Sequence, residues 1–188
     1  MPIFLQVTQY AGFIITELTN MLLLWLILTK SNNRFGSYKY VMMSYALFAM
    51  VYAVVEILTQ PIVHTSGACL IVYVDSFLKF EKTVSHHLVT LYCATFGLCC
   101  LLLATHFVYR FVAICRPQNM QCFEGLNLLL FYTIPFSISI LWYLDVHYWM
   151  SMSSLKTEFM RVAVFETYED DTARLGYISA FYYVRFGT

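Results

Sequence analysis

Four stretches of the chain are apolar at nearly every position, over about residues 8–29, 40–58, 88–109 and 126–144. A helix needs roughly 20 apolar residues to cross the hydrocarbon core of a bilayer, and each stretch meets that length. Glu17 is the one charge in the first and Glu56 the one in the second; the third and fourth have none. Pro135 inside the fourth predicts a kink, because it frees a backbone carbonyl. Two further apolar runs are too short to span. Residues 175–184 would cover only about 15 Å as a helix. Residues 69–74 read as a membrane-dipping loop or an interfacial segment. With no repeat and no low-complexity linker, the pattern predicts one all-α membrane domain over residues 1–188. Residues 145–188 form its extracellular tail.

Charge supplies the orientation. Lys30, Arg34 and Lys39 follow the first stretch without an acid, and Arg110 and Arg116 follow the third against Glu124. Lys79 and Lys82 balance Asp75 and Glu81 between the second and third stretches. The tail is acidic, with Glu158, Glu166, Glu169, Asp170 and Asp171 against Lys156, Arg161 and Arg174. Short basic loops stay cytoplasmic. The chain is therefore expected to cross the plasma membrane four times, with its N-terminus and tail outside.

Composition agrees with lipid as the solvent. Of the 188 residues, 60% are hydrophobic and 12% charged, where a soluble domain carries roughly 25% charged; mean hydropathy is +0.67. Net charge is zero, so nucleic acid is not an expected partner. The N-terminus lacks the basic start and small-residue cleavage site of a signal peptide. No nucleophile elbow, HExxH, phosphate loop or dinucleotide-binding glycine pattern occurs, so no enzyme, cofactor or catalytic residue is expected. Cys69, Cys93, Cys99, Cys100, Cys115 and Cys122 form no CxxC or CxxH cluster, so no metal site is expected either.

Polar groups inside the spans are costly and face other helices or a cavity. Thr16, Glu17 and Asn20 share one face of the first span; Tyr45, Tyr52 and Glu56 share one face of the second. Glu17, Tyr52 and Glu56 either line a ligand cavity or hydrogen-bond across helices, and Asn20 suits the second role. Cys93, Gly97, Cys100 and Ala104 make a stripe of small residues on the third span, suited to close helix packing. His86 and His87 fall at the outer end of that span, where they contact ligand, respond to pH or are simply solvated.

Several strings are distinctive when taken in order. Gly36-Ser37-Tyr38-Lys39-Tyr40-Val41-Met42 opens the second span, and Glu56 with Pro61-Ile62-Val63-His64 closes it. Tyr92-Cys93 lies in the third, which ends in His106-Phe107-Val108-Tyr109-Arg110-Phe111-Val112-Ala113, then Arg116-Pro117. In this order they resemble the Str family of nematode seven-transmembrane chemoreceptors, whose pattern Asn20 also fits.

The resemblance implies a rhodopsin-like receptor, truncated here before helix five. It would be an olfactory-type G-protein-coupled receptor in sensory-neuron membranes, with a small-molecule odorant as ligand. It implies that Tyr109, Arg110 and Phe111 face a heterotrimeric G protein, as DRY-type motifs do; a positive-inside anchor is the alternative for Arg110. With no cysteine after Cys122, the disulfide that often ties helix three to the second external loop cannot form. The competing expectation is a non-signalling four-helix protein that pairs with full-length receptors as a hetero-oligomer. A transporter fragment is disfavoured by the lack of internal repeats.

Overall fold

The computed structural model describes residues 3–30, 36–67, 69–123, 125–168 and 170–181, without the side chain of Cys122. Arg34, Glu124 and Glu169, and the last three residues of the run 175–184, lie outside the described residues. The chain is mostly helical. Helices α1 (Ile3–Lys30), α2 (Tyr38–Thr59), α3 (Lys82–Cys115) and α4 (Leu126–Trp149) are each long and apolar enough to cross a membrane. They outrun their apolar cores. At 34 residues, α3 is roughly 50 Å long and exceeds the hydrocarbon thickness at its ends. Pro135 lies inside α4, which continues through it.

Lipid offers no partner to a polar side chain, so many are satisfied within their own helix. Thr19 donates to the Ile15 carbonyl at 2.7 Å, Thr29 to Trp25 at 2.7 Å and Thr105 to Leu101 at 2.9 Å. Asn20 donates to Thr16 at 2.8 Å. The aliphatic side chains between them point outward: Ile15 is 62% exposed and Leu18 61%.

Two compact units divide the chain. The first holds Met1–Gln9, Val55–Cys93 and Tyr143–Thr188. It contains a three-stranded antiparallel sheet in the order β1 (Pro61–Ser66), β2 (Cys69–Val74), β3 (Tyr177–Phe181), with α5 (Ser154–Tyr168) beside it. The sheet adds to the helical architecture expected from sequence. Residues 69–74 are its central strand rather than a dipping loop, and the run beginning at 175 supplies its third strand.

Gly67, at φ 58°, opens the tight turn joining β1 to β2. The register then pairs Pro61 with Val74 and Ser66 with Cys69; Cys69 pairs with Phe181 and Tyr73 with Tyr177 on the other side. Successive strand residues point to opposite faces. Cys69, Ile71 and Tyr73 therefore pack with Met160 and Val164 of α5, whereas Val72 and Val74 pack with Val89 of α3, Val146 of α4 and Ile178. Both faces are apolar, which is why β2 reads as a continuous hydrophobic run.

Charges tie the connecting segments to the sheet. Lys79 contacts Asp75 at 2.8 Å and Asp170 at 2.6 Å, with all three side chains largely shielded. The Tyr73 hydroxyl donates to Asp170 at 3.4 Å. Burial and the nearby Asp170 and Asp75 charges push the Tyr73 phenol up. Burial pulls the Lys79 ammonium down, but its bonds to Asp170 and Asp75 outweigh that and leave it above the usual lysine range.

The second unit holds Tyr10–Val54 and Ala94–Trp142. There Ser139 donates to the Ala94 carbonyl at 3.0 Å, and Ser44 and Tyr132 share a hydrogen bond at 2.5 Å. Phe48 meets Phe136 edge to face at 5.1 Å.

Candidate functional site at the end of helix α3

The last turns of α3 and the first turn of α2 converge on one cluster in the second unit. Arg110 donates from Nε and Nη2 to the Tyr38 hydroxyl, at 2.8 and 2.6 Å. Its guanidinium carbon also lies 5.6 Å from the Tyr38 ring centroid. A planar guanidinium presents several N–H donors in a fixed fork and can bond an oxygen while lying close to a ring. Tyr38 stacks on Tyr109 at 5.3 Å, with 26° between the rings. Beneath them Tyr109 is buried with Val41, Phe123 and Leu128. One turn earlier, His106 donates from Nε2 to the Val41 carbonyl at 3.0 Å and meets the Tyr45 ring edge-on at 5.1 Å.

The result is a buried inner layer and an exposed outer one. Tyr109 is 5% exposed, whereas Arg110 is exposed and Phe111 is 58% exposed. Tyr38, Tyr109, Arg110, Ala113 and Ile114 line an open groove of about 410 Å³. Chemically the groove offers a forked cation on an aromatic floor, suited to backbone carbonyls, a carboxylate or a helix end from a partner.

The other residues singled out from sequence fall elsewhere. Gly97 faces α4: a Cβ built there would sit 3.5 Å from Cδ1 of Trp142. Cys93 is half-buried beside the Val89 and Val146 cluster, whereas Cys100 and Ala104 are exposed. Oε1 of Glu17 is buried without a hydrogen-bond partner. Tyr52 lies 6.2 Å from Phe96, ring to ring, and Glu56 is half-buried in the first unit. Sequence reasoning gave no role to Tyr38 or His106, although both stand in the strings quoted for the family resemblance. The Arg110–Tyr38 contact joins residues 72 positions apart. No local pattern reveals it.

The four long apolar helices define a multi-pass membrane protein. The family described as "Serpentine type 7TM GPCR chemoreceptor Str" matches residues 5–188, and the chain belongs to it. It is a receptor family rather than an enzyme family. The chain is 28% identical over 174 residues to "Serpentine receptor class r-10" of Caenorhabditis briggsae, covering 92% of this chain and 50% of that protein. It is 28% identical to the Caenorhabditis elegans protein of the same description, covering 78% and 43% respectively. It is 26% identical to "G-protein coupled receptor str-33" of Caenorhabditis elegans, covering 80% and 46%. The chain thus spans about half the length of the curated relatives it matches. No solved structure matches it.

Proposed function

We propose that the chain is the front portion of a chemosensory G-protein-coupled receptor, with Tyr109, Arg110 and Phe111 facing the G protein. The observation that carries this reading is the Arg110–Tyr38–Tyr109 cluster: a cation braced on a buried aromatic layer at the end of α3. The basic residues Lys30, Lys39, Arg110 and Arg116 near that end support a cytoplasmic location for it. The N-terminus and the sheet are then outside, in the plasma membrane of sensory neurons. Glu17, Tyr52 and Glu56 are the polar groups proposed for an odorant cavity. Asn20, Cys93, Gly97, Cys100 and Ala104 are proposed for helix packing.

A second reading is a non-signalling four-helix chain that pairs with full-length receptors. The exposed small side chains of Cys100 and Ala104 support it, since they suit contact with further helices. Switching needs an element with two arrangements that a ligand distinguishes. In the family architecture that element belongs to helices five to seven.

The test expresses the 188-residue chain with a promiscuous G protein and screens odorants, with Arg110→Ala as control. The same screen is run on a version extended by helices five to seven of a relative. A response from the extended form, lost in Arg110→Ala, supports the receptor reading. Silence of both forms, with the short chain co-purifying with a full-length receptor, supports the second. A response from the extended form that survives Arg110→Ala removes Arg110 from coupling.

A further inference from the structure

Three imidazoles meet in the first unit, and none belongs to the Arg110 cluster. His86 and His87 come from the start of α3, and His147 from the end of α4. Ring centroids are 4.9 Å apart for His86 and His147, 4.9 Å for His87 and His147, and 6.0 Å for His86 and His87. His87 and His147 stack with 13° between their planes. His86 is 7% exposed and donates from Nδ1 to the Tyr177 carbonyl of β3 at 3.2 Å. Nδ1 of His87 bonds the Tyr143 hydroxyl of α4 at 2.9 Å. Nδ1 of His147 is buried without a hydrogen-bond partner.

This geometry suits neutral rings. Flat neutral imidazoles stack well, but two imidazolium ions about 5 Å apart repel unless an acid separates them. None does. Among the described residues, no ion pair involves any of the three rings. On α3 the neighbouring charges are Glu81, just before the helix, and Lys82; on α4 they are Asp145 and the phenols of Tyr143 and Tyr148. From α5, the Lys156 ammonium reaches the Trp149 carbonyl at 3.4 Å and adds positive charge near the end of α4. From β2 the side chains packed on this face are the apolar Leu70, Val72 and Val74, and the Tyr177 phenol of β3 is engaged with Thr157. The described residues offer no metal-holding group of three either.

We propose that His86, His87 and His147 form a proton-operated latch. With all three neutral, it holds the ends of α3 and α4 against β3. Histidine is the side chain that takes up a proton as the medium turns from neutral to mildly acid, so acidification puts charge on the cluster. A second cation, or one on the partnerless Nδ1 of His147, then drives the rings apart. The movement reaches the sheet, because the Ser179 amide donates to the Met150 carbonyl just beyond α4 at 2.9 Å. The latch answers to pH on the sheet side of the membrane and does not depend on coupling at Arg110.

The experiment uses the whole chain in lipid nanodiscs. Hydrogen exchange of residues 143–150 and 177–181 is followed from roughly pH 7.5 to 5.5 and corrected for intrinsic rates. Protection should fall about tenfold on acidification. His147→Gln should reduce that fall to less than about threefold, whereas His64→Gln on β1 should leave it intact. A flat wild-type profile overturns the proposal, as does a full response in His147→Gln. Should that variant fail to fold, the wild-type profile and an NMR titration of its histidine Cε1 signals decide. Sequential protonation that tracks the loss of protection upholds the latch; three independent titrations near pH 6.5 overturn it.

Discussion

Gly176 precedes β3 where that strand passes the start of α3, and replacing it with alanine isolates the closeness of the contact. A Cβ on Gly176 would lie 2.5 Å from the Lys82 carbonyl oxygen, 2.6 Å from Ser85 Cβ and 2.9 Å from the His86 amide nitrogen. Ordinary van der Waals contact begins near 3.4 Å, so the deficit is roughly 1 Å. Two of these atoms are backbone and the third is a Cβ, so no flexible side-chain tip can yield. The strand has to move off the helix, straining the His86–Tyr177 hydrogen bond. Overpacking costs about 1–3 kcal/mol, and backbone obstruction places this case in the upper half. For a chain of this size, about 2–4 °C of Tm accompanies each kcal/mol, which gives a loss of about 4–12 °C. Gly12 is the matched control: nothing lies within 4 Å of its built Cβ, and it sits inside α1. Gly12→Ala should leave Tm unchanged or raised, because alanine is the better helix former. Thermal melts of both variants in detergent, read by size-exclusion fluorescence, make the comparison. A Gly176→Ala melt within a degree of wild type would show that β3 does not press on α3 as described.

Further outcomes test other contacts. Gly97→Leu should collide with Trp142, costing about 1–3 kcal/mol and lowering surface expression; normal expression would remove Gly97 from the α3–α4 contact. Lys79→Met removes the cation that Asp75 and Asp170 share and should cost toward the lower end of about 3–5 kcal/mol, with Lys79→Met/Asp170→Asn recovering part of it; equal melts for both would refute the pairing. Because the Lys79 pKa is raised, its contribution is complete below the ordinary lysine value of about 10.5 and fades as pH rises through the higher folded value; melts between about pH 7 and 9 should show no loss from this cluster. Tags after Met1 and after Thr188 should both be reachable on intact cells; a need for permeabilisation at either end would reject the proposed orientation.

The four spans were legible because their length exceeds anything a soluble core requires. The sheet was not, because β2 is a six-residue apolar run in a chain where apolar runs are the background. Its two faces pack on different helices, so it shows none of the alternation that marks a half-exposed strand. The run from 175 is too short to span, and nothing in its length marks it as a strand. At the α3 end the motif strings located Arg110, and pairing across the fold supplied Tyr38. Helical spacing gave the face shared by Gly97, Cys100 and Ala104, but spacing names no neighbour. Gly97 found Trp142, and the other two stayed open.

The two-faced packing of β2 restricts how this region can vary in length. One residue added or lost inside β2 would exchange the side chains facing α5 with those facing α3 and α4. Tyr73, sized for the α5 side, would then be driven among the valines around Val89 and Val146. Related chains can therefore lengthen or shorten here at the Gly67 turn or before β3, or by whole two-residue steps within the strand. Length changes in this segment should be sorted by parity as well as by size.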